Sequence, residues 1–348
     1  MSPATLSFLQ SIGATPRDNG DCFFQAEPAA LDTAGAHNMI VPLSHYGLLE
    51  IHGPEAEKFL QGQITCSATE VTPALSSPGA YCTVKGRVVT SFQLLRPQTD
   101  TFWLRMRGDL LDIAARTFGK YIVFSKAKLA AQESMIGIGL SGPSIAKPLL
   151  ALIGALPSQQ HGTVSYGEGL LLQCDANGTQ FEYWGPAVSA TALWTHCSPQ
   201  ATAVGSRYWR WLQIRSGNAE ICAATSEMFL PHMLNYHETG AINFKKGCYT
   251  GQEIVARTHY RGQVKRHVAG LRLEGPAPAA GSDITDANAK VVGSVVDSVA
   301  TVESVATADR GAPVENVSNA AELLAVIADD SIDASASLHV GAIEARTL

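Results

Sequence analysis

The sequence predicts an α+β protein: two successive units mixing strands and helices, followed by a small β-barrel. Three observations predict it. Strand-like and helix-like stretches alternate between residues 45 and 124, and the order partly recurs between 135 and 196. From about residue 268 the chain turns to short Ala-, Val- and Ser-rich strands broken by Gly and Pro. The length of 348 residues suffices for two or three domains, at about 100–200 residues each. The expected segments are an N-terminal piece 1–35, a first α/β subdomain 36–134, a second one 135–266, and the barrel 267–348.

The elements follow in order. Residues 1–35 show little periodicity, so a short helix at 6–12 and then a loop are expected. A strand suits 45–52. Pro54 fits a helix N1 position, and Glu55 and Glu57 place negative charge at the favourable end. Residues 81–84 and 88–95 read as a hairpin around Lys85-Gly86. A strand at 101–107, a helix at 109–118 and a strand at 121–124 complete the first unit. The second has a strand at 135–140, an apolar helix at 144–156, strands at 169–174 and 180–184 around a turn, and a helix at 188–196. This order implies related halves without a residue-level repeat. The helix at 206–214 carries Trp209 and Trp211 among Arg207, Arg210 and Arg215. Such aromatics can stack on a flat heterocycle or anchor an inter-domain interface, and the anchor is assigned to at least one. Strands at 268–273, 290–296, 323–328 and 342–345, with breaks at Gly275-Pro276 and Gly281-Ser282, make the barrel. A loop or short helix is expected at 316–321.

Composition excludes several classes. No apolar run reaches the ~20 residues of a spanning helix, and the N-terminus lacks a basic segment followed by an apolar core. Seven cysteines, odd in number and without a C-x-x-C pair, argue against a disulfide framework and for the cytoplasm. No zinc-type cluster or compact four-cysteine set appears, so no resident metal is expected. His232 and His237 are five residues apart, which does not put two ligands on one helix face. The net charge of −6 does not suit a general polyanion binder. Residues 245–267, however, hold six basic side chains against one acid, a local patch suited to an anionic ligand.

That patch contains the most informative stretch, Lys245-Lys246-Gly247-Cys248-Tyr249-Thr250-Gly251-Gln252-Glu253. Gly247 and Gly251 allow a tight turn or close backbone approach. A thiol on such a turn beside ammonium groups is a candidate activated nucleophile, redox thiol or transient metal ligand. Cys82, Cys174 and Cys222 lie in apolar strand-like runs and fit packing instead.

The longer string from Phe244 to Glu253, with Val255-Ala256-Arg257, Tyr260-Arg261-Gly262 and Lys265-Arg266, resembles the signature of the YgfZ family. These are folate-binding relatives of the glycine-cleavage T-protein, linked to iron–sulfur enzyme maintenance and tRNA modification. Residues 53–65, with the run Phe59-Leu60-Gln61-Gly62-Gln63, resemble that family's first helix and turn. Phe229-Leu230-Pro231, Asn235 and Gly240 add a third match. The resemblance covers roughly residues 36–270. It implies a T-protein-like fold of two related subdomains plus a barrel, with tetrahydrofolate bound between the halves and the barrel. It also implies a catalytic or redox role for Cys248 with Lys246. Cofactor contacts are implied for Gly247, Tyr249, Gly251, Gln252, Glu253, Arg257, Ser67 and Trp209. The implied partners are a folate and, transiently, Fe–S enzymes or their assembly factors, with the link to tRNA indirect.

Two departures bear on activity. Ser67 stands where relatives carry an aspartate, and Arg215 where they often carry a glutamate. Serine cannot supply a carboxylate's charge beside a folate nitrogen, so folate binding is the leading expectation. Aminomethyl transfer and an RNA-binding module built on the basic segment 257–267 are the alternatives.

Overall fold

The computed structural model describes residues 1–26, 31, 37–301, 320–332 and 337–348. The first helix, α1 (Pro3–Ser11), starts at Ser2, whose hydroxyl accepts from the Thr5 amide at 3.2 Å. This satisfies one of the amides a helix start leaves open.

Two sheets make the body. A five-stranded sheet runs in the order Ser77–Cys82, Val88–Gln98, Thr101–Arg107, Tyr46–His52, Lys128–Ala131. It is covered by α2 (Ala56–Gln61) and α3 (Leu111–Ile122). A six-stranded sheet runs Thr163–Tyr166, Gly169–Gln173, Gln180–Pro186, Met135–Ser141, Met39–Pro42, Thr202–Ala203. Its helices are α4 (Ala146–Ile153) and α5 (Ala187–Cys197). Then come α6 (Ser206–Arg215), α7 (Gln252–Arg261) and a closed six-stranded barrel between Arg266 and Thr347. The expected fold class is the observed one.

Two local expectations are corrected, and one strand appears that the sequence reading did not include. Residues 121–124 do not form a strand: α3 runs on to Ile122, and the strand lies at Lys128–Ala131, paired with Tyr46–His52. The β-branched and aromatic composition favoured a strand. The deciding fact is that Ala114, Phe118 and Ile122, four apart, share one buried helix face. Pro54 lies outside α2, whose N-cap is Glu55. The strand Met39–Pro42, fully buried and without alternation, pairs antiparallel with Met135–Ser141. It thus ties a segment preceding the first sheet into the second one. The loop or short helix expected at 316–321 falls mostly outside the described residues, and Ala321 itself begins the barrel strand Ala321–Ala328.

The helix α6 fastens the body to the barrel. Trp211 Nε1 donates to Glu322 at 2.9 Å, and Arg215 grips the same carboxylate through two nitrogens at 2.5 Å. Arg210 and Arg107 share Asp297 of the barrel, at 2.6 and 3.1 Å. Trp211 is therefore the interface anchor, whereas Trp209 is fully buried and packs against Gly139.

Candidate functional site

The cysteine motif is a loop laid on the first sheet and closed by α7. Asn243 Oδ1 accepts the amides of Lys245 and Lys246, at 2.8 and 3.0 Å, which turns the chain. The Lys246 ammonium then points inward, donating to the carbonyls of Ile64 and Cys66 at 2.6 and 2.7 Å. Burial pushes its pKa down to about 8, opposed in part by Cys66 and Glu70. Tyr249 is buried beneath the ammonium, whose Nζ lies 5.1 Å from the ring centroid. Gly247 and Cys248 face solvent, and Cys248 is the one exposed cysteine of seven. Burial drives the thiols of Cys66 and Cys82 up to about 11 and 12, which keeps them protonated.

Gly251 caps α7 with φ 85°. A side chain there would run into the Thr83 carbonyl and approach Cys82 Cβ at 3.1 Å. Gly251→Val is therefore expected to lose at least about 2–3 kcal/mol of stability, combining strain at positive φ with a backbone clash. An unchanged urea midpoint would show that the turn can be rebuilt. Gln252 is half-buried, and Glu253 and Arg257 are exposed on α7.

A second constellation sits where the two sheets meet the segment after α6. A narrow cleft of about 30 Å³ is lined by Pro78, Gly79, Phe92, Gln93, Arg105, Glu220 and Tyr236, among others. Arg105 forms an ion pair with Glu182, Nε lying 3.1 Å from its carboxylate, and donates a hydrogen bond to Glu220 at 2.6 Å through a terminal nitrogen. Tyr46 donates to the second oxygen of Glu220, and its ring lies 4.3 Å from the Arg105 guanidinium carbon. Trp184 Nε1 donates to Glu182 at 3.0 Å. Burial pushes the Glu182 carboxyl up, partly offset by Arg105, and burial with Glu220 raises Tyr46 well above its usual range. With both carboxylates ionised the cluster carries one surplus negative charge. Tyr46 itself lines a larger hollow of about 690 Å³, with His45, Arg107 and Trp184.

The thiol turn and the cleft are linked through Thr65. Its hydroxyl donates to Ala241 O at 2.6 Å and accepts from Ala80 N at 2.9 Å, next to Gly79 of the cleft. None of the residues implied as cofactor contacts lines the cleft. Ser67 is buried and bonded to Thr69 at 3.0 Å, and Trp209 lies in the core. The sequence signal for the charged cluster was a charged residue inside an apolar strand: Arg105 in Thr101–Arg107 and Glu182 in Gln180–Pro186.

Beside the motif, His232 is 4 % exposed and neither ring nitrogen has a hydrogen-bond partner among the described residues. The rings of His237 and His259 lie 4.9 and 5.8 Å from it. Burial first, then the neighbouring imidazoles, push its pKa down to about 4. Between that value and the unfolded value near 6.5 the unfolded chain binds a proton that the folded chain refuses. Stability is thus lost as pH falls below about 6.5. The urea midpoint should drop less between pH 7 and 4 for His232→Phe than for wild type, and equal drops would refute this.

No family model matches the chain. It is 34% identical over 248 residues to a tRNA-modifying protein YgfZ of Klebsiella pneumoniae, covering 70% of this chain and 75% of that one. A protein of the same name from Shigella boydii is 33% identical over the same shares. The glycine cleavage system aminomethyltransferase T of Bartonella henselae superposes with a TM-score of 0.73 at 16% identity, covering 99% of this chain and 95% of that one. Two mixed units and a closed barrel are thus a T-protein-like fold. With that fold, the cysteine motif and the identity to these relatives, the chain belongs to the YgfZ family.

Proposed function

We infer that the protein binds tetrahydrofolate at the cleft beside Arg105 and supports Fe–S proteins through the exposed Cys248 thiol, and through them tRNA modification. The observation that carries the folate reading is the pairing of two carboxylates, the buried Glu182 and the partly buried Glu220, with one guanidinium. The surplus carboxylate suits a ligand that presents two adjacent N–H donors, as the pyrimidine edge of a pterin does. Phe92 and Tyr236 supply apolar walls. A pterin needs several times the volume of the closed cleft. Tyr46 lines the larger hollow and holds Glu220 of the cleft, so lifting its hydroxyl from Glu220 frees an acceptor for the ligand. Lys246 acts as a positioning residue that holds the turn at Ile64 and Cys66.

The reading of Cys248 rests on exposure: a surface thiol can meet a partner's sulfur or metal, and its six buried or half-buried counterparts cannot. No three His, Cys, Asp or Glu residues among those described are arranged to hold a metal ion. No helix of the described residues is long and apolar enough to cross a membrane. The reading places the protein in the cytoplasm with the Fe–S enzymes it serves.

The test is calorimetric titration with folinate, alongside thermal unfolding, since a ligand that binds only the native state raises the melting temperature. Glu220→Gln is expected to weaken binding by about 1.5–3 kcal/mol, a charge-assisted hydrogen bond. No heat and no thermal shift at millimolar folinate would overturn the folate assignment.

A further inference from the structure

At the C-terminal end of α7 a column of rings emerges from the body. Phe244 and His259 stack at 3.8 Å with planes 16° apart, and both lie against the buried His232, at 6.1 and 5.8 Å. Tyr260 meets His259 edge-on at 4.8 Å and is 68 % exposed. The outer end of the column is thus open to solvent. An exposed tyrosine beside an existing ring stack is a place where another flat ring can add.

Charge surrounds the open end. Arg257 and Arg261 stand one helical turn apart on α7, flanking Tyr260, and Lys265 and Arg266 follow where the chain enters the barrel. All four are exposed, and none is paired with a carboxylate among the described residues. Acids do border the patch: Glu253 on the first turn of α7, Glu238 beside His237, and Asp329, which His267 engages at 2.6 Å. None of the three reaches the four cations. An aromatic platform ringed by unpaired cations in a chain of net charge −6 is the combination that holds single-stranded nucleic acid, with bases stacking and phosphates meeting the cations. An acidic peptide would use the cations and leave Tyr260 idle.

We propose that the Phe244–His259–Tyr260 column with Arg257, Arg261, Lys265 and Arg266 is a contact surface for an unpaired stretch of RNA. The choice of RNA over DNA rests on the proposed link to tRNA modification, to which it adds a direct contact, and the stacking surface itself does not. The surface is distinct from the cleft at Arg105, so its occupancy and folate binding are separable.

The experiment is fluorescence anisotropy of the full chain with a short labelled single-stranded RNA, the same sequence as a duplex, and the same sequence as DNA. Single-stranded RNA should bind more tightly than the duplex. Tyr260→Ala should lower its affinity roughly tenfold or more, the effect of losing one base stack, while folinate titration and thermal unfolding stay unchanged. Arg261→Gln with Lys265→Gln should flatten the dependence of log affinity on log salt by about 1.4, at ~0.7 per phosphate contact on a single strand. Absence of binding at low salt, an unaltered affinity in Tyr260→Ala, or displacement by polyglutamate as readily as by RNA would overturn the surface. Equal binding of DNA with the Tyr260 effect intact would overturn the assignment to RNA alone. Either failure leaves the folinate titration to judge the cleft separately.

Discussion

Arg105→Ala is expected to destabilise the protein by about 3–5 kcal/mol and to abolish folinate binding. The cost follows from what remains: Glu182, 1 % exposed, and Glu220 would sit together without their shared cation. Breaking a buried ion pair from one side leaves an uncompensated charge, which is costlier than never having had the pair. Two carboxylates this close also repel, so one should take up a proton and lift its pKa. Urea unfolding measures the first effect and titration with folinate the second. Because this variant can lose its fold, Glu182→Gln with Arg105→Met serves as the companion. It removes one acid and the cation together, should recover most of the stability, and should still fail to bind folinate. Folinate binding that survives in the companion would show that the guanidinium–carboxylate pairing is structural and that the cleft is not the pterin site.

Cys248→Ser is expected to leave folding intact and to abolish rescue of Fe–S-dependent tRNA methylthiolation in a strain lacking the family member. The side chain is exposed, so loss of sulfur removes no packed contact. A serine hydroxyl lacks an accessible ionised form at neutral pH, and nucleophilic, redox and soft-metal roles fail together. Cys82→Ser and Cys174→Ser should affect stability alone, since burial holds both thiols above their ordinary range. Rescue equal to wild type at matched protein levels would make Cys248 a bystander. The alkylation rate of native Cys248 against pH then reports directly whether the turn activates the thiol.

Sequence patterning was enough for most of the elements. The hairpin around Lys85-Gly86 is visible because Gly86 takes φ 71° between two apolar runs. The helix α4 was expected at 144–156 but ends at Ile153, because Gly154 at φ 86° stops it, a signal the apolar run outweighed. Where local preference and burial disagreed, burial won. Tyr121, Val123 and Phe124 have strand-forming side chains, yet they are exposed around the end of α3 because Phe118 and Ile122 fix its inward face.

The cysteine motif was legible for the same reason: a tight turn needs its residues consecutive, so Gly247 to Glu253 can be read as a string. What the string did not show is direction. Lys246 adjoins Gly247 in sequence, yet its ammonium turns away to two carbonyls more than 170 residues upstream, at Ile64 and Cys66. The charges inside apolar strands were visible, but their meeting at the cleft was not. Arg105, Glu182 and Glu220 come from two strands and a loop, far apart along the chain, and no spacing rule joins them. By itself the sequence determined most of the elements, the family and the candidate thiol, because those depend on neighbours along the chain. Only the tertiary structure decided which charges are buried together, because the free energy of an ion depends on what surrounds it in space.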